Sequence, residues 1–192
     1  MKSTFYKKFI LNLIIVLILF WSGCVTNKEI PDQLFDPSFD ELYLISNITI
    51  VDGDTFHAVN EYGQEITIRI LGIDTPELDP NDNNVYEYGL IKNLSCLSQF
   101  GIMAKEKLHL ILSSDTCYIK FDNKSGIKDK YGRFLCYVFN ETMDDVGKTL
   151  VELGLARVYM YESFEMRNEY IQLEKNAIEN QTGLWICESP TS

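Results

Sequence analysis

The chain has 192 residues, 46% of them hydrophobic, with 28 acidic against 17 basic side chains and a formal charge of −11. That length buries one good core rather than two. The acidic surplus argues against a sequence-independent coat for nucleic acid, because long-range attraction of a polyanion follows the summed charge.

At the start of the chain, Lys2, Lys7 and Lys8 precede the apolar run Phe9–Trp21, which is broken at Asn12 and followed by Ser22, Gly23 and Cys24. A basic start, an apolar run shorter than the roughly 20 residues of a spanning helix, and small residues after it predict a secretory signal over residues 1–23. The expected location is therefore outside the cytoplasm, either secreted or anchored at the cell-surface membrane, through an N-terminal lipid or through the segment left uncleaved. Ser-Gly-Cys resembles a lipobox, which implies acylation of Cys24 after cleavage. Removing the signal takes away three lysines and no acid, so −11 becomes −14. Residues 24–45 mix Pro, Asp and Ser without clear periodicity and read as a tether, with 46–187 as the folded domain and 188–192 as a tail.

Within the domain, Asn47–Ala58 and Glu65–Ile73 alternate apolar and polar residues, through Ile48 and Ile50 in one and Ile66, Ile68 and Ile70 in the other. Glu61–Gln64 supplies the turn between them. Ala104, Leu108, Ile111 and Leu112 share a helix face. Cys117–Asp122 and Arg133–Phe139 form a second β-rich pair around the polar loop Asn123–Gly132. Val146, Leu150 and Leu153 mark a second helix, and Met166, Tyr170, Leu173 and Ala177 a third, closed by Gly183. Short strands interleaved with and followed by helices predict an α+β fold, a small β-barrel capped by three α-helices.

Four cysteines follow Cys24: Cys96, Cys117, Cys136 and Cys187. Outside the cytosol an even set invites disulfides, with three possible connectivities. No CxxC spacing and only two histidines argue against a zinc cluster. Cys117 and Cys136 lie in strand-like runs and read as small buried hydrophobes. Cys96 and Cys187 lie outside strands and form the favoured pair.

Three clusters carry chemistry: Val51-Asp52-Gly53-Asp54-Thr55, the stretch Ile68–Glu77 (IRILGIDTPE), and Asp129-Lys130-Tyr131-Gly132-Arg133. A core strand needs neither a guanidinium in its middle nor two carboxylates at its exit. Asp54 and Asp74, from two strand ends, offer hard oxygen ligands of the kind Ca²⁺ favours.

Taken in order, with an intervening YG…A helix and the GLARVY segment near the end, these blocks resemble the staphylococcal nuclease family over about Ser46 to Trp185. The resemblance implies a five-stranded OB-fold-type barrel with three helices. It also implies a Ca²⁺-dependent nuclease that cleaves DNA and RNA at the 5′ P–O bond and leaves 3′-phosphates. In that reading Asp54, Asp74 and the Thr75 carbonyl hold calcium, and Asp52 orients them from behind. Glu77 is the general base, and Arg69 and Arg133 grip the phosphate with planar guanidinia. Lys130, Tyr131, Tyr159 and Tyr161 bind the substrate, the tyrosines by stacking on any base.

The loop Leu78–Gly89 departs from the lysine-rich pattern of many relatives: it is acidic, with no basic residue, and is extended by Leu90–Phe100 before the first helix. Such a loop predicts weak, salt-sensitive binding of long duplexes. The competing expectation is a catalytically silent nuclease-like barrel that binds nucleic acid or protein. The presence of Asp54, Arg69, Asp74, Glu77 and Arg133 together favours the enzyme. A monomer is expected.

Overall fold

In a computed structural model, which describes residues 35–39 and 41–187, the alternating runs close into a five-stranded barrel. The signal segment, Cys24, the first part of the tether and the tail lie outside the described residues. The strands are β1 (Leu42–Ile50), β2 (Thr55–Asn60), β3 (Glu65–Ile70), β5 (Thr116–Lys120) and β6 (Phe134–Phe139), in the spatial order β1-β2-β3-β6-β5 with β5 returning to β1. Pairing is antiparallel except between β3 and β6, which run parallel. Two short strands, β4 (Ile73–Asp74) and β7 (Arg157–Val158), pair outside the barrel. The helices are α1 (Leu94–Ile111), α2 (Val146–Glu152) and α3 (Arg167–Glu179), with a 3₁₀ turn at Gly183–Cys187. This is the α+β architecture expected from the residue pattern. Among the described residues no helix is long and apolar enough to cross a membrane.

Period-two geometry explains the barrel. Ile66, Ile68 and Ile70 of β3 all point inward and are buried, so Glu65, Thr67 and Arg69 face outward. The turn before β3 is set by Asn60, whose Oδ1 accepts the Tyr62 and Gln64 amides at 3.0 and 2.9 Å. Strand β6 is buried almost throughout, Phe134 to Val138, because it is covered on both faces.

Three boundaries differ from the sequence reading. The tether ends before residue 45: β1 starts at Leu42, and Phe35 sits in the core with its ring 5.2 Å from Tyr43 and 5.3 Å from Phe134. The exposed Leu42 and Leu44 made this stretch an unbroken apolar run with no visible alternation. The run Asn47–Ala58 is two strands, separated by the Val51–Asp54 turn, with a register slip between Ser46 and Thr49 where Asn47 takes a φ of 53°. Helix α1 begins at Leu94, inside the segment read as a loop extension; Asn93 caps it by accepting the Cys96 amide at 3.0 Å. Gly101 masked that helix. Glycine is a poor helix former, yet a Cβ there would lie 2.3 Å from the Pro76 carbonyl oxygen. The glycine lets the exit of β4 lie directly on α1.

Asp122, buried at the end of β5, accepts hydrogen bonds from the Tyr137 hydroxyl and from the Lys124 and Glu165 amides, the last two at 2.6 and 2.7 Å. It ties the barrel to the segment that leads into α3. Burial opposes its ionisation, but the bonds from Glu165, Tyr137 and Lys124 outweigh that and hold its pKa below the usual carboxylate value. A depressed folded-state pKa means the contribution is fully present above the unfolded value and disappears as pH falls through the lower folded one. Asp122→Asn is expected to cost about 1.5–3 kcal/mol at neutral pH. That gap should shrink on acidification, as urea unfolding of both proteins across the carboxylate range would read.

Cys96 at the start of α1 is bonded to Cys187 at the end of the 3₁₀ turn, 91 residues away. Cys117 and Cys136 are free and buried in the barrel, where burial pushes the Cys117 thiol up to about 12. Closing so long a loop restricts the unfolded chain, and losing the bond is expected to cost about 2–5 kcal/mol. The check is the urea midpoint with and without reductant, against the Cys96→Ser/Cys187→Ser double variant, which should be indifferent to reductant.

Candidate active site

Strand pairing brings the three sequence clusters to one place. Thr55 opposes Arg69 across the antiparallel β2–β3 pair, so the turn carrying Asp54 lies beside the exit of β3 that leads to Asp74. The Ile70 amide donates to the Asp54 carbonyl at 2.9 Å. Parallel pairing of β3 with β6 puts Leu135 opposite Arg69, and Arg133 Nη1 reaches Thr55 Oγ1 at 3.4 Å.

Asp52 builds the first turn: its Oδ1 accepts the Asp54 and Thr55 amides at 3.0 and 2.7 Å. Burial raises its pKa against the pull of Arg69. Gly53 sits so close to α1 and β4 that a Cβ would be 2.6 Å from Ala104 Cβ and 2.7 Å from Thr75 Oγ1. Asp54 is buried, with Oδ2 accepting the Thr75 amide and hydroxyl at 2.8 and 3.1 Å and Oδ1 the Thr55 hydroxyl at 3.0 Å. Arg69 bridges the two aspartates: Nη1 pairs with Asp54 Oδ1, and Nη2 donates to Asp74 Oδ1 at 2.8 Å.

On its far side, Asp74 Oδ2 accepts Arg157 Nε at 2.9 Å. Arg157 lies directly opposite Asp74 in the β4–β7 pair, stacks 4.9 Å over the Tyr88 ring and pairs with Glu87 at 3.3 Å. The same small sheet continues into a bond from the Tyr159 amide to the Gly72 carbonyl at 2.9 Å, which places the tyrosine pair.

Glu77 is exposed, and Asn83 holds its backbone from both ends: Asn83 Oδ1 accepts the Glu77 amide and its Nδ2 donates to the Glu77 carbonyl, both at 3.0 Å. Desolvation first, then Asp52 and Asp74, raise its carboxyl pKa. In the third cluster Asp129 accepts the Tyr131 and Arg133 amides at 2.9 and 3.0 Å through Oδ1 and Arg133 Nε at 2.7 Å through Oδ2. Arg133 and Lys130 lie 5.5 and 4.9 Å from the Tyr131 ring centre. Tyr131 and Tyr161 are 72% and 86% exposed, leaving their faces free to stack, and Tyr159 lies 5.5 Å from Tyr161.

One open cleft of about 620 Å³ is lined by Asp52, Asp54, Arg69, Asp74, Thr75, Glu77, Lys130, Tyr131, Arg133, Tyr159 and Tyr161, together with Glu87, Asp129, Leu135 and Glu162. The structure thus gathers every sequence-derived catalytic, metal and substrate position. Cys24 lies outside the described residues, and the Cys96–Cys187 bond is not part of the cleft wall. Residue reading missed Arg157, Glu87, Asn83 and Glu162. Arg157 sits in the GLARVY segment, but a two-residue strand carries no periodicity to reveal its partner.

Seven carboxylates line the cleft against Arg69, Lys130 and Arg133. A phosphate can enter such a field only with added positive charge. Among the described residues no three or more His, Cys, Asp or Glu side chains form a metal cage of their own. Asp54, Asp74 and the Thr75 carbonyl are oxygen donors only, and the two carboxylates already share a cation in Arg69. That set fits a hard divalent ion completing its shell with water and phosphate.

The sequence profile described as staphylococcal nuclease homologue matches residues 67–187. Thermonuclease of Staphylococcus intermedius is 32% identical over 147 residues, 76% of each chain. The chain belongs to the staphylococcal nuclease family. Within it, the uncharacterized protein MJ1439 of Methanocaldococcus jannaschii is 39% identical over 153 residues, 76% of this chain and 72% of that one. Endonuclease YncB of Bacillus subtilis is 32% identical over 145 residues, of which this chain spans 61% of the length.

In this nuclease-family cleft Asp129 orients Arg133. Burial works against Asp129's charge, but the bonds from Arg133 and Tyr131 prevail and its pKa lies below the usual value. The clamp therefore holds above the ordinary carboxylate range and is released as pH falls through the lowered value. Asp129→Asn is expected to weaken the clamp by about 1 kcal/mol, speeding solvent exchange of the Arg133 Nε–H roughly fivefold. Nitrogen-15 NMR of the arginine side chain would measure it.

Proposed function

We propose that this protein is an exported, Ca²⁺-dependent nuclease that hydrolyses DNA and RNA at the 5′ P–O bond and leaves 3′-phosphates. The observation that carries this reading is the meeting of Arg69, Arg133 and Glu77 around one cleft beside the Asp54–Asp74 carboxylates. The names of the relatives, thermonuclease and endonuclease, support the same reaction class.

The chain's own groups supply most of what the reaction needs. Glu77, held by Asn83, takes a proton from water as it attacks phosphorus. Arg69 and Arg133 donate to the equatorial oxygens, where charge accumulates in the transition state. Tyr131, Tyr159 and Tyr161 offer stacking faces to bases of either sugar type, without selecting sequence. Asp54, Asp74 and the Thr75 carbonyl would hold the calcium ion, which supplies charge neutralisation for the phosphate. The acidic loop contributes no long-range attraction and no phosphate contacts, so binding to long duplexes is weak.

The basic start, short apolar run and small residues before Cys24 support export, with the chain anchored at the cell-surface membrane through Cys24 or released. Cleavage of single-stranded DNA at low salt is expected with Ca²⁺ and should stop with chelator. Glu77→Gln and Arg133→Ala are each expected to lower kcat about 10²–10³-fold. Folded protein that binds oligonucleotides but cleaves none with calcium supplied would replace this reading with that of a silent binding barrel.

A further inference from the structure

The Cys96–Cys187 bond lies outside the cleft wall, yet each of its ends leads back to the site. Cys96 stands in the first turn of α1. Further along the same helix is Ser98, buried, whose Oγ donates to the Leu94 carbonyl at 3.1 Å and accepts Asn83 Nδ2 at 3.2 Å. Asn83 in turn holds the Glu77 amide and carbonyl. One turn beyond Ser98, a Cβ at Gly101 would lie only 2.8 Å from the Glu77 carbonyl oxygen. Helix α1 is therefore the bed of Glu77. The carboxylate itself is exposed, so its place is set through its backbone.

The other end of the bond reaches Asp74. Cys187 closes the 3₁₀ turn Gly183–Cys187, and the Leu184 amide of that turn donates to the Gly154 carbonyl at 2.8 Å. Gly154 and Gly183 lie so close that a Cβ on either would strike backbone of the other's segment. From Gly154 the chain runs through Leu155 and Ala156 into β7, where Arg157 holds Asp74. Thr75 and Pro76 join Asp74 to Glu77, so the contacts form a ring that the disulfide closes.

We propose that the Cys96–Cys187 bond is a redox latch on catalysis: bonded, it holds α1 and hence Glu77 in the working position; reduced, it leaves the barrel folded and slows the chemical step. This rests on the nuclease reading above. The start of α1 has no acidic residue in its first turn, and the Asn93 cap and the disulfide are what hold it. Lys130, Tyr131 and Arg133 belong to the β5–β6 hairpin, outside the ring, so the grip on phosphate persists without the bond. Losing one disulfide takes away less than the stability of an ordinary domain, so the reduced chain stays folded.

The exchange balances. A thiolate of low molecular weight attacks the half-buried Cys96 sulfur, the S–S bond breaks, and Cys187 leaves as a thiolate that takes up a proton. A second small thiol then releases Cys96 and departs joined to the first as a disulfide. Two electrons and two protons have passed to the protein, and a small disulfide reverses the step. Thiols keep such bonds open in the cytosol and oxidising surroundings close them. An exported nuclease latched in this way reaches its full rate only outside the cell.

The test uses the whole calcium-loaded protein with and without a small dithiol, on single-stranded DNA, together with hydrogen exchange of the Glu77 amide. Reduction is expected to lower kcat about 10–100-fold with KM within a few-fold, and a small disulfide should restore it. The Glu77 amide should exchange roughly tenfold faster in the reduced protein, while the amides of β3 and β6 stay protected. The Cys96→Ser/Cys187→Ser double variant should show the reduced rate in either condition, which separates the latch from the buried Cys117 and Cys136. In Glu77→Gln, whose residual rate no longer depends on the base, reduction should change kcat less than about twofold. An unchanged kcat and amide exchange on reduction, an equal fall in Glu77→Gln, or unfolding of the barrel by the dithiol would each overturn the latch. If the bonded wild-type protein cleaves nothing, the nuclease reading itself fails, and the amide exchange alone decides whether the bond fixes Glu77.

Discussion

The site depends on one guanidinium placed between two carboxylates. Asp54 and Asp74 come from different strand ends, and without Arg69 between them they would repel as they approach. Two unit charges 4 Å apart interact by about 4 kcal/mol at the effective dielectric near a protein surface. Arg69 converts that repulsion into attraction and draws both strand ends to one point. It can do so because β3 alternates: the isoleucines on either side are taken up by the core, which leaves the arginine on the outer face.

Around this bridge the fold removes freedom from each partner. Asp54 is bonded to Thr55 and Thr75, and Asp74 is held from behind by Arg157, its cross-strand neighbour. Glycines at 53 and 101 allow the two carboxylate-bearing segments to rest on α1 with almost no gap. The acidic loop has two opposed effects. It deprives the cleft of basic groups that would attract a polyanion, yet its buried Asn83 holds Glu77 and its Glu87 anchors Arg157. Loss of long-range attraction and gain of local positioning come from the same residues.

The barrel and the first set of site residues were legible because they follow local rules. Ile66, Ile68 and Ile70 announce a half-buried strand by period alone, and Asp52-Gly53-Asp54 announces a turn. Phe35 was not legible: it lies in a stretch of Asp, Pro and Ser without periodicity, and its partners, Tyr43 and Phe134, come from later strands. The start of α1 was hidden by a glycine whose purpose is a contact with Pro76, far from it in sequence. Arg157 belongs to a segment too short for any periodicity, and its role exists only through Asp74 and Glu87.

Sequence alone determined the alternating runs that build the barrel, the helix faces, the chemical types at the site and the family. Each of these is written in neighbouring residues, as alternation, as turn chemistry or as an ordered set of short blocks. Tertiary structure alone decided which cation bridges which carboxylate, which carboxylates remain unpaired, where the domain begins, and that Cys96 and Cys187 are bonded. Those outcomes depend on distances between groups remote in the chain, and strand register sets such distances only after the barrel has closed.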